Sequence, residues 1–359
     1  MSSEFGRKLK VRVFGRSHGE CIGVEIEGFP RGIKIDFDAL YAFMERRKGG
    51  KDQLSTARKE ADRPEFLSGV ENGVTTGDKI KAVIYNNDAR SKDYADLALT
   101  PRPAHADYTA HVKWHGSEDM RGGGKFSGRL TAPICIAGAL AKQALAQKGV
   151  YVGAHALSVG TIKDDPFPLA PTKELFDSVA TKVIPAINDD SAKEMEQLIL
   201  KARSEEDSVG GVVECAVIGV KAGLGDALFD GVESRIAPAL FGVPGVKGVE
   251  FGSGFYGSTL KGSENNDPFV IEDGCVKTHT NNAGGILGGI TSGMPIVVKA
   301  AMKPTPSIGK EQTSIRLDTM EQTTVSIKGR HDPCIALRAV PVIEAVCALV
   351  TLDMYEEEN

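Results

Sequence analysis

The chain has 359 residues, with 43 Lys or Arg against 48 Asp or Glu, so its formal net charge at pH 7 is −5. This acidic balance argues against non-specific nucleic-acid binding, and any anion site must be built locally. The polar N-terminus lacks a signal-peptide core, and no apolar run is long enough to span a bilayer. Six scattered cysteines without a C-x-x-C pair favour a cytoplasmic location over a disulfide framework.

The first quarter of the chain predicts strands around one helix. Residues 11–14 and 22–26 are apolar or alternating and predict two strands joined by the polar turn 15–20. Asp36 is expected to cap a helix that ends at Arg47. Two more strands are expected at 66–74 and 80–85, with Asn72-Gly73 and Thr76-Gly77 as turn signals.

The rest of the chain mixes helices and strands without a repeat or a low-complexity linker. The expected elements are a buried Ala-rich helix at 133–147, an amphipathic helix at 191–201, strands at 212–220, 296–300 and 323–327, an apolar helix at 336–352, and an acidic tail at 356–359. This order predicts an α/β or α+β fold in a single domain spanning 1–359.

A basic stretch follows the first helix and is predicted to be a long loop over 46–63. Its cations are Arg46, Arg47, Lys48, Lys51, Arg58, Lys59 and Arg63. A charge run is usually a solvated face, but long loops are often functional. Within an otherwise acidic chain it favours a ligand with several negative charges.

Two histidine segments are candidates for proton transfer. His18 lies on the turn 15–20 between small residues, and His105 lies in the segment 102–107, two residues before Asp107. Asp107 can orient His105 or raise its pKa. The alternative is a turn histidine without a catalytic role. His111 and His115 have the spacing of a metal pair on a helix, but no third ligand follows, so no metal is predicted.

Glycine-rich segments supply candidate anion sites. Three consecutive glycines, 122–124, lie in the segment 121–129 before the Ala-rich helix, where backbone N–H groups can converge on an anion. This is neither the Walker pattern nor the dinucleotide fingerprint. Near the C-terminus, 329–334 brings together a cation, a histidine and Asp332, which can serve as a base or as a helix N-cap next to Pro333.

Seven segments in order carry a family resemblance. They read GRSHGE at 15–20, RPAHADYT at 102–109, RGGG with SGR at 121–129, VKGVEFG at 246–252, NNAGGILGGI at 281–290, KPTPSI at 303–308 and GRHDPC at 329–334. Together they resemble the chorismate synthase family over residues 7–350. The resemblance implies a β-α-β sandwich, a homotetramer and a lyase that converts 5-enolpyruvylshikimate 3-phosphate to chorismate with reduced FMN. No segment remains for a reductase domain, so a separate flavin reductase is expected.

The resemblance also implies roles for particular residues. His18 would act on the reduced flavin and His105 on the departing phosphate, Asp332 would relay the proton, and Ser17 and Ser127 would be their hydrogen-bonding partners. Substrate anions would be bound by Arg47, Arg102, Arg129 and Arg330. The flavin contacts would be Lys125, Phe126, Ser127, Pro244, Gly245, Gly289, Lys303, Pro304, Thr305, Pro306, Ser307 and Arg330.

The chain departs from the family pattern at three places. Arg16 stands where an acid is usual, and Phe126 stands where the glycine segment usually has a serine. The usual Arg-Arg-Pro-Gly is Arg47-Lys48-Gly49-Gly50, with Gln53 after it, in the region that the family associates with NADP. Two alternatives stay open: an inactive anion-binding relative, which a glutamate restored at position 16 would reveal, and a nucleic-acid binder, which salt-sensitive binding to single strands would reveal.

Overall fold

A computed structural model of the chain describes residues 3–50, 54–56, 62–86, 99–117, 121–327 and 331–358. Its first sheet is five-stranded and antiparallel. It consists of β1 (Glu4–Phe5), β2 (Lys10–Gly15), β3 (Cys21–Glu27), β4 (Glu65–Ser68) and β7 (Ile80–Tyr85), in the order β1-β2-β3-β7-β4. A short ribbon of β5 (Val70–Glu71) and β6 (Val74–Thr75) lies between β4 and β7 in the chain.

The second sheet is also antiparallel and comes from the later part of the chain. It consists of β8 (Tyr151–Val159), β9 (Ile162–Lys163), β10 (Gly211–Ile218), β11 (Val246–Phe251) and β16 (Ile296–Met302), in the order β11-β16-β10-β8-β9. Three hairpins project from it: β12 (Phe269–Glu272) with β13 (Cys275–Thr278), β14 (Ile286–Leu287) with β15 (Ile290–Thr291), and β17 (Gln312–Ile315) with β18 (Gln322–Val325).

Three helices fill the space between the sheets: α1 (Phe37–Arg47), α3 (Thr131–Ala146) and α9 (Ala336–Glu357). The other helices are α2 (Asp107–Trp114), α4 (Lys173–Ala180), α5 (Asp189–Ser204), α6 (Val232–Phe241), α7 (Gly254–Gly257) and α8 (Gly262–Asn265). A side chain at Gly138 of α3 would overlap Ala345 of α9, so this glycine lets the central helices approach closely. The predicted β-α-β sandwich in a single α/β domain is confirmed. None of the described helices is long and apolar enough to cross a bilayer.

Most predicted elements are confirmed, but two are wrong in extent. The strand predicted at 66–74 is divided, because Gly69 takes a φ of 78° against the backbone of Ile80 and Asn72-Gly73 forms a turn with φ of 49° and 76°. The last helix continues through most of the predicted acidic tail to Glu357. Arg235 pairs with Glu357 at 2.6 Å, and this ion pair holds the last turn against α6.

A histidine between two carboxylates lies inside the second sheet, away from any segment that the sequence singles out. His155 Nδ1 is 3.0 Å from Asp164 and its Nε2 is 3.0 Å from Glu214, and all three side chains are buried. Burial lowers the pKa of His155, but the two carboxylates outweigh it and the pKa is raised overall. Burial raises the pKa of Asp164, and its hydrogen bonds from His155, Asn188 and Ile187 reverse that effect. Both ring nitrogens face carboxylate oxygens, and this arrangement favours the protonated imidazole.

Replacing this histidine tests the charge of the cluster. We expect His155→Gln to lower the free energy of unfolding by about 3–5 kcal/mol, because two buried carboxylates lose their cation. The loss should be largest below about pH 6.5, the ordinary histidine pKa, and should shrink as pH rises through the raised pKa of the folded state. Urea unfolding of both proteins over pH 5–9 measures it. The control is His279→Gln at an exposed position, and a pH-independent difference would mean that His155 is neutral.

Candidate active site

The glycine segment before α3 is the centre of the site. Gly122, Gly123 and Gly124 have φ of 59°, 86° and 52°, a left-handed run that other residues rarely adopt. A Cβ at Gly122 would overlap the imidazole of His18 and lie 3.0 Å from Ser17 Oγ. A Cβ at Gly123 would lie 3.5 Å from His105 Nε2 and 3.5 Å from the Cβ of Ser127. The segment therefore passes between both predicted histidines and both predicted serines.

The β2–β3 turn presents Ser17 and His18 to this segment. Phe14 pairs with Gly23 and Gly15 with Ile22, so the hairpin closes just before the turn. The amide of Asn86, which follows β7, donates to the carbonyls of Arg16 and Gly19 at 3.2 and 2.9 Å. The turn is thus fixed from the neighbouring strand as well as from its own hairpin.

His105 belongs to a buried group at the start of α2. Arg102 forms a two-point ion pair with Asp107, with Nε–Oδ2 and Nη2–Oδ1 distances of 2.6 and 2.7 Å. His105 Nδ1 lies 2.7 Å from the same Asp107 Oδ1. The predicted contact of Asp107 with His105 is confirmed, and Asp107 acts to raise the pKa of His105 as predicted, but the pKa is lowered overall. Burial lowers the pKa of His105, the hydrogen bond to Asp107 opposes this, and the nearby Arg102 charge adds to the lowering.

Two predicted substrate arginines meet at a carboxylate that the sequence analysis missed. Asp62 accepts from Arg47 Nη2 at 2.6 Å and also from Arg129 Nη1. Burial raises the pKa of Asp62, but the two guanidinium charges lower it overall. Arg129 also reaches Asn86 Oδ1 at 3.3 Å, which connects the pair to the His18 turn. The available sequence signal is an acid at the end of a basic stretch, which is weak without the fold.

Asp332 is connected to the same group through Arg338. Its carboxylate accepts from Thr56 N at 2.8 Å and from Arg338 Nη1 at 2.5 Å, and Arg338 Nε donates to the carbonyl of Arg47 at 2.9 Å. The alternative role as a helix N-cap is wrong, because α9 begins at Ala336 and Ile335 is the N-cap. The predicted ligand Arg330 and the centre of the basic stretch lie outside the described residues.

Part of the predicted flavin set borders His105. Arg102 Nη1 donates to Ser307 Oγ at 3.2 Å, and Lys303 Nζ donates to the carbonyl of Ala104. Lys303 N in turn donates to the carbonyl of Gly245 at 2.9 Å. Burial lowers the pKa of Lys303. These contacts bring the segments around 245 and 303–307 to the buried group that contains His105.

The other predicted flavin residues do not lie together. Lys125 and Pro244 line a cavity of about 390 Å³ together with Arg16, while Phe126 packs its ring 5.9 Å from that of Trp114. Gly289 accepts from Val232 N at 2.9 Å, at the start of α6. In the described part of the chain its contacts are with that region, so the structure does not bring Gly289 to the histidines. A second cavity of about 560 Å³ opens beside Arg102 and His105.

His111 and His115 do not lie on one helical face, although their spacing would allow it. His111 lies in α2, but His115 is the C-cap in a left-handed conformation with φ of 51°. Among the described residues, no group of three His, Cys, Asp or Glu side chains is placed to hold a metal ion. The site instead concentrates cations. Its described carboxylates are Asp62, Asp107 and Asp332. Its described cations are twice as many: Arg47, Arg102, Lys125, Arg129, Lys303 and Arg338. This excess suits a ligand with several negative charges.

A β-α-β sandwich with two imidazoles on a glycine segment and an excess of buried guanidinium groups defines an enzyme that acts on anions. The family model for chorismate synthase matches residues 9–355. The chain is 46% identical to the chorismate synthase of Thermococcus gammatolerans over 97% of its own length and 96% of the relative's. It is 43% identical to the chorismate synthase of Lancefieldella parvula over 98% of its own length and 96% of the relative's.

A solved structure described as a crystal structure of chorismate synthase gives a TM-score of 0.77 at 27% identity. It covers 99% of this chain and 93% of the other. The chain belongs to the chorismate synthase family, and its enzyme class is therefore that of the carbon–oxygen lyases.

Proposed function

We propose that this enzyme converts 5-enolpyruvylshikimate 3-phosphate to chorismate in the shikimate pathway of aromatic amino acid biosynthesis. In this anti-1,4-elimination a ring proton goes to a base, its bonding electrons form a new ring double bond, the existing double bond shifts, and the C–O electron pair leaves with phosphate. The observation that carries the proposal is the glycine segment 122–124, which has His18 beside Gly122 and His105 beside Gly123. Family membership supports the same reaction.

The residues present fit a reduced FMN. The glycine segment lets His18 approach its backbone closely and lies beside His105, and Lys303, Ser307 and Arg102 place donors beside His105. Gly245, which accepts from Lys303 N, and the cavity-lining residues Lys125 and Pro244 would add further contacts. When bound, the reduced flavin would supply transient electron density to the elimination. The residues of the chain hold it, exclude water and position the substrate.

The contacts favour exchanging the roles that the resemblance gives the two histidines. His105 borders Lys303 and, through Arg102, Ser307, so we assign it to the flavin side. His18, which lies beside Gly122 and Ser17, is assigned to the departing phosphate. Arg47 and Arg129 would bind substrate anions, and Asp332, oriented by Arg338 and Thr56 N, would move the ring proton.

The test is anaerobic incubation of the purified protein with 5-enolpyruvylshikimate 3-phosphate and photoreduced FMN, with chorismate and free phosphate measured together. We expect both products in equal amounts. Omission of the pre-reduction step, with NADPH added, distinguishes an enzyme that needs a separate flavin reductase from one that reduces its own flavin. No product with saturating reduced FMN would overturn the proposal. If a glutamate at position 16 then restored activity, the chain would be an inactive relative.

The remaining expectations are proposals of the same kind. A homotetramer, a cytoplasmic location and a partner reductase follow from family membership. The apolar side chains exposed on α7 and on the β12–β13 hairpin support burial between subunits; they are Phe255, Tyr256, Phe269, Ile271 and Val276. Sedimentation of the purified chain measures the subunit number.

A further inference from the structure

Two lysines lie close together at the end of the edge strand β11. Val246 is paired with Met302 of β16. Lys303 N donates to the carbonyl of Gly245 at 2.9 Å, so these two residues lie opposite each other. Lys247 is therefore the diagonal neighbour of Lys303, a spacing that long side chains can bridge. Burial lowers the pKa of Lys303 and the charge of Lys247 lowers it further, so the two ammonium groups act on each other.

A β-bulge sets Lys247 apart from the rest of its strand. The ladder pairs Val246 with Met302 and then Gly248 with Ala301, so Lys247 is the extra residue between them. It is exposed, whereas the other five residues of β11 are buried or half-buried. Bulges occur often beside active sites, because they redirect a side chain and interrupt strand pairing. The bulge therefore frees the Lys247 side chain for a contact outside the sheet.

Lys303 connects this pair to the site described above. Its Nζ donates to the carbonyl of Ala104, the residue before His105. An ammonium group has three N–H donors. In the described part of the chain the Nζ of Lys303 has that one acceptor and the Nζ of Lys247 has none. Most of the donors of the pair are therefore open to a ligand, on the side of the site that His105 borders.

The two lysines also lack a described counter-ion. Among the residues that the structure describes, neither Lys247 nor Lys303 forms an ion pair with a carboxylate. Lys299, earlier in β16, shows the contrast, because it pairs with Glu250 of β11 at 3.5 Å. Like charges side by side are unfavourable, and partial burial of Lys303 adds to the cost. The pair therefore suits a ligand group with about two negative charges, as a phosphate monoester has near neutral pH.

A buried hydroxyl two residues after Lys303 is an independent sign of a ligand. Thr305 Oγ1 is buried and has no hydrogen-bond partner in the described part of the chain. The carbonyl of Thr305 accepts from Ser208 Oγ at 2.7 Å, so its backbone is fixed while its hydroxyl is not used. Buried polar atoms are nearly always hydrogen-bonded, so this one lacks a partner that a ligand can supply. Phosphate oxygens accept from hydroxyl and ammonium groups alike.

We propose that Lys247 and Lys303 together bind a phosphate monoester, with the Thr305 hydroxyl as a further donor. Lys247 adds a cation that is not among the contacts predicted from the sequence. The inference rests on the function proposed above, which offers two such groups, the phosphate of FMN and the 3-phosphate of the substrate. Because Lys303 borders His105 on the flavin side, we expect the phosphate of FMN.

The test measures flavin binding without turnover. Flavin fluorescence gives the dissociation constants of oxidised FMN and of riboflavin, which lacks the phosphate, for wild type and Lys247→Gln. We expect Lys247→Gln to weaken FMN binding about 10-fold, the scale of one hydrogen bond to a charged group, and to leave riboflavin binding unchanged. Lys247→Arg keeps the charge and should keep most of the affinity for FMN. The matched control is Lys163→Gln, an exposed lysine on the opposite edge strand of the same sheet.

A second arm distinguishes the two phosphate groups. Calorimetric titration with substrate at saturating oxidised FMN should give equal affinities for wild type and Lys247→Gln if the pair binds the phosphate of FMN. A loss of about 10-fold in substrate affinity, with FMN affinity unchanged, would assign the pair to the phosphate of the substrate instead. Unchanged affinity for both phosphate monoesters overturns the proposal. An equal loss for FMN and riboflavin also overturns it, because the phosphate would then not be the group that is bound.

These binding measurements separate the lysine pair from the proposed function. A wild type that binds FMN through Lys247 but forms no chorismate with reduced FMN would overturn the function and leave the phosphate site in place. A wild type that forms chorismate, alongside a Lys247→Gln variant with unchanged affinity for FMN and for substrate, would overturn the phosphate site alone.

Discussion

Replacing either His18 or His105 by alanine is expected to lower kcat by about 10²–10⁴-fold, the usual contribution of a positioned acid–base group. The imidazoles lie beside different glycines, His18 at Gly122 and His105 at Gly123, so we expect that neither can take over the role of the other. Anaerobic stopped-flow measurement of chorismate with saturating substrate and reduced FMN gives the rate. The control is His279→Ala, at an exposed position outside the site.

The two variants should differ in what else they change. His105 borders Lys303 and the Arg102–Ser307 contact, so His105→Ala should raise the FMN concentration for half-maximal activity, while His18→Ala should leave it unchanged. Because the pKa of His105 is lowered, its limb in the pH profile of kcat/KM should lie below about pH 6.5 and should disappear in the variant. The opposite result, with the FMN effect in His18→Ala, would restore the roles inferred from the resemblance. Full activity in either variant would remove that residue from the mechanism.

Local pattern was enough to predict the elements that position the site. The alternation in β2 and β3 and the cap at Asp36 follow from neighbouring residues, and the structure has them close to the expected bounds. Elements whose extent depends on residues distant in sequence were harder to predict. Gly69 divides a predicted strand because it meets Ile80, and the acidic end of α9 stays helical because Arg235 lies beside Glu357. Neither partner is near in sequence.

The same distinction applies to the candidate site. The contact between His105 and Asp107 was predictable, since the two residues are only two positions apart at a helix start. The direction of the shift in the His105 pKa was not predictable, because burial by the whole fold outweighs the hydrogen bond to Asp107. The ion pair of Asp62 with Arg129 was not predictable either, because the two residues are 67 positions apart and belong to different segments. Sequence motifs therefore identified the side chains of the site but not the ion pairs between them.

Gly122→Ala is expected to lower kcat/KM by about 100-fold, because a displacement near 1 Å at reacting groups can cost that much. The added methyl group would overlap the imidazole of His18 and would require an alanine at φ of 59°. Either the segment or the histidine has to move. Steady-state assays measure the loss, and thermal unfolding should show a moderate cost of about 1–3 kcal/mol for the strained backbone.

The only tryptophan of the chain makes the displacement visible. Trp114 lies 5.9 Å from the ring of Phe126, directly after the glycine segment, so movement of the segment should change its fluorescence. The matched control is Gly128→Ala, where an added Cβ has nothing within 4 Å. We expect this variant to keep wild-type activity and fluorescence. If Gly122→Ala were as active as wild type, the position of His18 would not depend on close contact with the glycine segment. The proposed function would then lose the observation on which it rests.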